Sequence, residues 1–181
     1  MPLVKAGQVV TDRFTRVADD VPVPAHGPVI VSGRRFLSDP ARFLQHAGPL
    51  GVAWPNNEPV SALAPYLDRL ALVTLEFPLF RDGRAYSQAR IIREQYGFTG
   101  ELRATGQVLR DQFLFLLRSG FDALEVSKES DAAAFAESVQ RFDVFYQPTG
   151  DGRATVLRQR LAQHARSHAA ALSLCDTGVR R

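Results

Sequence analysis

The stretch "LALVTLEFPLFRDGRAYSQAR", residues 70–90, decides the fold. Its apolar run Leu70–Phe77 predicts a buried strand. After the polar connector that follows, apolar residues recur with helical spacing from about Tyr86 to Tyr96, and Gly97 predicts the helix end. A strand that leads through a short connector into a helix is half of a β-α-β unit. The stretch therefore predicts an α/β protein with parallel strands.

The same alternation continues on both sides of this stretch. Further strands are predicted at Pro28–Ser32, Gly51–Trp54, Gly100–Thr105 and Ala123–Ser127, and further helices at Ala41–Ala47, Pro59–Leu67, Val108–Ser119 and from Ser130 onward. The result is about five mainly parallel strands alternating with helices. We expect an open sheet or a partial barrel, because a complete eight-fold barrel needs at least about 200 residues.

The two ends of the chain fall outside this alternation. "LVKAGQVV", residues 3–10, predicts a small hairpin, and "DVFYQP", residues 143–148, predicts an edge strand before its proline. We expect one domain, residues 1–149, followed by a basic tail, residues 150–181, that is helical or disordered.

Composition and charge exclude several classes of protein. The single Cys175 cannot supply an internal disulfide, an iron–sulfur cluster or a thiolate zinc site, whereas a flavin needs no cysteine and stays open as a cofactor. No apolar run approaches the roughly 18 residues of a membrane span, and the N-terminus lacks the apolar core of a signal peptide. We therefore expect a cytoplasmic protein without a membrane partner.

The net charge of +3 comes from the tail. Residues 150–181 carry six arginines against Asp151 and Asp176, so the body has a net charge of −1 and no nucleic-acid footprint. His164 and His168 have the spacing of two metal ligands, but no third ligand accompanies them, so a solvated tail is favoured and no metal site is predicted. No dinucleotide fingerprint, P-loop or nucleophile elbow occurs.

Charged residues alternate with apolar ones in three successive predicted strands. Because side chains alternate with a period of two, Glu76, Arg103 and Glu125 are expected on one face of the sheet. Two interpretations stay open: a partly solvated face with ordinary ion pairs, or the floor of a polar pocket. In the pocket, Glu76 or Glu125 is the candidate catalytic base and Arg103 an anion contact.

The connector after the first strand is a second candidate region. In parallel α/β sheets, ligands bind beyond the carboxyl ends of the strands. The candidate ligand-binding residues at this edge are Asp82, Arg84, Tyr86, Ser87 and Gly106. Arg84 offers a bidentate fork for an anion. The alternative also stays open: Asp82 and Arg84 pair across their own turn, and Asp82 or Ser87 caps the helix.

The segment "DQFLFLLRSG", residues 111–120, is apolar nearly all round. Such a helix is buried either in a core or at a subunit interface. Phe113 and Phe115 cannot share one face, which favours a partner contact. We therefore expect a homodimer through the helix at residues 109–117.

Five short motifs in the body carry a family resemblance. They are EFP (76–78), DGRAYSQAR (82–90), GELRATG (100–106), LRDQ (109–112) and GFD (120–122). Through them the chain resembles, over roughly residues 50–148, the bacterial family named domain of unknown function 934. Two positions depart from the family pattern: Gln107 replaces an acidic residue, and Ser119 stands where relatives often have cysteine.

The resemblance implies a pathway. Proteins of this kind are typically encoded beside assimilatory sulfite reductase and sulfonucleotide reductase, and are often described as oxidoreductases of sulfite reduction. We therefore expect an accessory protein of sulfate and sulfite assimilation that acts with sulfite reductase or sulfonucleotide reductase. The alternative is a small oxyanion- or nucleotide-binding enzyme, an oxidoreductase, whose site lies at the carboxyl edge of the strands.

Overall fold

The computed structural model describes residues 1–142, 144–149, 153 and 155–176, with side chains up to residue 166. Within these residues the chain has a mixed α/β fold built on one sheet of eight strands. They are β1 (Leu3–Lys5), β2 (Gln8–Val10), β3 (Thr15–Arg16), β4 (Val29–Ser32), β5 (Leu50–Trp54), β6 (Leu72–Phe77), β7 (Glu101–Gly106) and β8 (Ala123–Glu125).

The strand order is β2-β1-β8-β7-β6-β5-β4-β3. Strands β3 to β8 are parallel, and each pairs with the next along the chain. The hairpin β1–β2 joins antiparallel to β8. This succession of neighbouring parallel strands curls into an open half-barrel.

The strand number differs from the prediction of about five. The five predicted strands all form, as β4 to β8, and the predicted hairpin forms as β1 and β2. The hairpin then docks on β8 through backbone pairing, which no side-chain pattern encodes. The remaining strand, β3, has two residues and is too short to show any periodicity.

The two edges of the curled sheet lie close together. Strand β2 ends at Val10 on one edge, and β3 begins at Thr15 on the other. Five consecutive Cα–Cα steps span at most about 18 Å, so the residue 11–14 linker must cross a narrow opening. An ion pair crosses the same opening, because Arg16 of β3 reaches Glu125 of β8 at 3.3 Å. The concave face is therefore partly enclosed.

The sheet is accompanied by helices, most of which pack on its convex face. They are α1 (Gly33–Ser38), α2 (Pro40–Leu44), α3 (Arg84–Arg90), α4 (Phe113–Arg118), α5 (Asp131–Gln140) and α6 (Val156–Asp176), with a π-helical turn at Ile91–Gln95 and 3₁₀ helices at Val60–Ala62, Ala64–Arg69 and Arg110–Gln112. The apolar positions of the strands, such as Val73, Leu75 and Phe77, join the helices in one core. In the described part of the chain, no helix has the length and hydropathy to cross a membrane.

Local side-chain and backbone chemistry sets the ends of two helices, one of them the end predicted at Gly97. Asp39 caps α2, since its carboxylate accepts the Arg42 amide at 3.2 Å, and Gly97 has the positive φ of a helix end, +64°. The edge strand predicted at residues 143–148 is wrong for residues 144–148, where Phe145 makes only an isolated bridge to Thr155. Pro148 has no amide hydrogen to extend the pairing. Asp143 lies outside the described residues.

Candidate functional site

The predicted common face exists on the concave side of the half-barrel. In the register of β6 with β7, Thr74 lies opposite Arg103 and Glu76 opposite Thr105. Arg103 also donates a hydrogen bond to Glu125 of β8, at 3.4 Å. The structure therefore brings Glu76, Arg103 and Glu125 to one surface.

Arg103 is the hub of this face. Its side chain is only 1% exposed, and all three guanidinium nitrogens contact carboxylates. The closest approaches are 2.6 Å to Asp12, 2.9 Å to Glu101 and 3.4 Å to Glu125. The ring of Phe14 lies 5.9 Å from the guanidinium carbon. This geometry favours the ion-pair interpretation of Arg103 over its use as an anion contact.

Two further cations complete a neutral network. Lys5 pairs with Glu101, and Arg16 pairs with Glu125 at 3.3 Å. Three cations and three carboxylates thus balance one another around Arg103. The sequence pattern gives no sign of Lys5, Asp12 and Arg16. These residues lie in the hairpin, the linker and the shortest strand, about 90 or more positions from their partners.

The network holds Asp12 in its ionised form. Partial burial acts to raise the pKa of Asp12, but hydrogen bonds from Arg103 and from the Phe14 amide outweigh it, and the pKa falls below the ordinary value. Burial likewise acts to lower the pKa of Arg103, while Asp12 and Glu101 raise it above its ordinary value. Both partners are therefore charged throughout the physiological range.

A cleft of about 360 Å³ opens beside the hub, at the carboxyl ends of β4 to β8. Such a volume fits a small molecule. Its lining is rich in charged and hydroxyl groups: Asp19, Ser32, Arg34, Thr74, Glu76 and Thr105 belong to it. The strand ends thus form a polar cleft where α/β sheets usually bind their ligands.

Two ions of opposite sign in the cleft lack partners. Glu76, at the end of β6, and Arg34, in the first turn of α1, make no hydrogen bond or ion pair with any described residue and are exposed. Glu125 differs, since its Oε1 accepts from both Arg16 and Arg103. Of the two candidate bases, Glu76 is the one whose carboxylate is available to a ligand.

The connector residues form a separate group. Arg84 and Asp82 form a bidentate ion pair, with Nε–Oδ1 and Nη2–Oδ2 distances of 3.0 and 2.6 Å. Arg84 is the main cause that holds the pKa of Asp82 below its ordinary value. Neither residue belongs to the lining of the cleft. The geometry follows the alternative in which the two residues pair across their own turn.

Tyr86 and Ser87 also lie away from the cleft. Tyr86 packs edge-on against Phe77 and Phe115, with ring centroids 5.0 and 4.6 Å apart. Burial and the nearby Asp111 raise the pKa of Tyr86 to about 12, so its hydroxyl stays protonated. Ser87 is exposed and does not cap α3, which begins earlier, at Arg84, with Gly83 at its N-cap. The structure therefore divides the predicted site in two.

Gly106 lines the cleft, and its backbone geometry requires glycine at this position. Its φ is +90°, and a Cβ atom there would overlap the carbonyl oxygen of Phe77 on the neighbouring strand.

The two departures from the family pattern, Gln107 and Ser119, both make hydrogen bonds. The side-chain oxygen of Gln107 accepts the Phe80 amide at 3.1 Å. Ser119, the other departure from the family pattern, donates to the Phe115 carbonyl at 2.8 Å. Both departures thus have structural roles in this chain.

Gln88 is a rim residue that sequence analysis missed. Its buried amide donates to the carbonyls of Pro55 and Glu58, at 3.0 and 2.8 Å. These bonds anchor the loop that follows β5, and Pro55 lines the cleft. The local sequence gives no sign of this role, because the partners lie 30 or more positions away.

No cluster of three or more metal-ligating side chains occurs among the residues whose placement is described. His164 lies on α6, whereas the side chain of His168 falls beyond the described ones.

The fold and the cleft together define a class: an α/β half-barrel protein with an open polar cleft at the carboxyl edge of its parallel strands. The chain belongs to the family described as bacterial protein of unknown function (DUF934), whose model matches residues 51–157. This confirms the resemblance and carries it past residue 148. The match begins in β5, so Asp12, Arg16 and Arg34 precede it. A search of curated proteins found no match.

Proposed function

We propose that the protein is an accessory of assimilatory sulfate and sulfite reduction whose cleft binds a small polar ligand that carries an oxyanion. One observation supports the ligand-binding part most directly: the guanidinium of Arg34, which has no partner among the described residues, lines a cleft of small-molecule size at the carboxyl ends of parallel strands. A guanidinium fork suits carboxylate, sulfate and phosphate groups.

The pathway part of the proposal is supported by the family. The motifs between residues 76 and 122 lie within the matched region, and the resemblance they carry implies assimilatory sulfite reduction. Deletion of the gene tests this part. The deletion strain should grow on sulfide or cysteine but poorly on sulfate, and equal growth on all sources, with no redundant copy, would remove the pathway role.

The accessory role also needs a contact surface. Four exposed apolar side chains occur near one another beyond β6 and β7, namely Leu79, Phe80, Leu109 and Phe115. The Gln112 side chain links two of their segments, since it donates to the Phe80 carbonyl and accepts the Leu109 amide. On α4 the two neighbouring phenylalanines divide, with Phe113 buried and Phe115 59% exposed. This surface supports contact with sulfite reductase, sulfonucleotide reductase or a second copy of the chain.

Complementation of the deletion strain separates the two parts of the proposal. Phe80→Ser and Phe115→Ser alter the apolar surface, whereas Arg34→Met and Glu76→Gln alter the cleft. Failure of the surface variants alone would assign the function to protein contact. Failure of the cleft variants alone would assign it to the ligand. The melting temperature of each variant is measured first. Arg34, Glu76 and Phe80 are exposed, so we expect little change from their replacement, whereas Phe115→Ser also removes the ring contact with Tyr86 and is assayed below its own melting temperature.

A second candidate is an enzyme in which Glu76 acts as the base. The supporting observation is that its carboxylate is exposed in the cleft and unpaired among the described residues. A base must lie within hydrogen-bond reach of the proton it removes, and Glu125 is already engaged by Arg16 and Arg103. Under this candidate, Glu76→Gln should abolish turnover while leaving ligand affinity within a few-fold.

A further inference from the structure

The charges of the cleft narrow the class of its ligand. Its lining includes the carboxylates of Asp19, Glu76 and Glu125 and the guanidinium groups of Arg16 and Arg34. The lining therefore has one net negative charge. A ligand that carries only an oxyanion would meet Arg34 favourably but would also face an excess of carboxylates. Like charges brought together in a partly enclosed cleft repel one another.

Three of these five charged groups already have partners within the protein, so they are less available to a ligand. Arg16 and Glu125 pair with each other at 3.3 Å. Asp19 accepts the hydroxyl of Ser32 at 2.7 Å. The two ions that remain without a partner among the described residues are Arg34 and Glu76. They present one positive and one negative group to the same space.

The sheet places the backbone attachment points of these two ions on either side of one strand. Arg34 lies two residues beyond the end of β4, Glu76 is the penultimate residue of β6, and β5 lies between those strands. Neighbouring strands are about 4.8 Å apart, so the two attachment points are roughly 10 Å apart across the sheet. Because both side chains line the same cleft of about 360 Å³, one small molecule held between them can contact both charged groups.

We propose that the cleft binds a small zwitterion of the amino-acid type, with its carboxylate or sulfonate on Arg34 and its ammonium on Glu76. The hydroxyls of Thr74 and Thr105 line the same cleft and can receive the remaining polar hydrogens. This inference rests on the proposed ligand-binding function and assigns its ligand class.

The test uses the full chain and a fixed panel of probes. Thermal shift and calorimetry measure binding of the twenty common L-amino acids, taurine and inorganic sulfate. The best amino acid is then compared with its N-acetyl derivative, which keeps only the anion, and with its methyl ester, which keeps only the cation. We expect both derivatives to bind at least about ten-fold more weakly than the parent, because each loses one charge-assisted contact.

Variants assign each end of the ligand. Arg34→Met and Glu76→Gln should each weaken binding of the parent about ten-fold or more. Glu76→Gln should not weaken binding of the N-acetyl derivative, and should strengthen it if anything, because the change removes a carboxylate that repels its anion. Arg69→Met and Glu129→Gln serve as matched controls, since both residues are exposed and neither lines the cleft.

The outcomes distinguish this inference from the proposed function. Equal binding of sulfate, the N-acetyl derivative and the parent, with no effect of Glu76→Gln, would overturn the zwitterion and leave oxyanion binding intact. Binding that is unaffected by both cleft variants would overturn the inference as well. If neither the zwitterions nor sulfate bind, both the zwitterion inference and the proposed ligand-binding function are wrong.

Discussion

Asp12 accepts hydrogen bonds from both terminal nitrogens of the Arg103 guanidinium, at 2.6 and 3.1 Å. The pair joins the linker between the two sheet edges to the middle of β7. Arg103 in turn contacts Glu101 and Glu125, so one side chain holds the linker, β7 and β8 together. This arrangement buries the Arg103 guanidinium, and the cleft of about 360 Å³ opens separately at the carboxyl ends of the strands.

Replacement of Arg103 by methionine should strongly destabilise the protein. The change leaves Glu101 and Glu125, which are 13% and 17% exposed, and the partly exposed Asp12 without their common partner. Removing one member of a buried ion pair costs about 3–5 kcal/mol, and the exposure of Asp12 places the expected loss at the lower end of that range. Urea unfolding measures the free energy, with exposed Arg69→Met as the control. A loss below about 0.5 kcal/mol would show that the network is merely solvated surface.

The Asp12 ion pair should give the protein an acid-dependent component of stability. Because the folded-state pKa of Asp12 lies below its ordinary value of 3.8, the contribution is present in full above that value and is lost as the pH falls through the folded-state pKa. The difference in unfolding free energy between the wild type and Asp12→Asn should therefore be constant near neutrality and shrink below about pH 4. A difference that grows on acidification would contradict the ion pair.

Gly106 and Gly97 offer a matched pair for testing the rim of the cleft. Both have positive φ, +90° and +64°, so alanine at either position should cost about 1 kcal/mol in backbone strain. At Gly97 the space for a Cβ atom is open, whereas at Gly106 it overlaps the Phe77 carbonyl. Gly106→Ala should therefore lower the free energy of unfolding clearly more than Gly97→Ala. Equal losses would show that β7 can move away from β6 without cost.

Two truncations test where the body of the protein ends. Thr155 is buried and bridges to Phe145, and the Val156 amide donates to the Phe145 carbonyl at 2.8 Å. Ending the chain after Thr149 should therefore lower the melting temperature. Ending it after Arg160 should not, because Leu161 is 61% exposed. Equal melting temperatures for the wild type and both truncations would place the boundary at residue 149, as the sequence alone predicts.

Most of the strands and helices could be predicted from the sequence because their causes are local. The apolar run at residues 70–77 and the alternation in "GELRAT" and "ALEVS" follow from whether each side chain meets the core or the concave face. The same period of two predicted that Glu76, Arg103 and Glu125 share a face. It could not predict the two-residue β3 or the docking of the hairpin on β8, because both depend on backbone pairing between distant segments.

The sequence by itself determined the strand–helix order, the polar character of one sheet face and the family of the chain. Only the tertiary structure decided which of the polar residues pair with each other and which are left to meet a ligand. Arg103 has the residue type of an anion contact, yet the curl of the sheet brings Asp12 onto it from 91 positions away. The same curl leaves Arg34 and Glu76 facing one cleft without partners among the described residues. Charge pairing depends on distance in space, and a linear pattern specifies that distance only within an element.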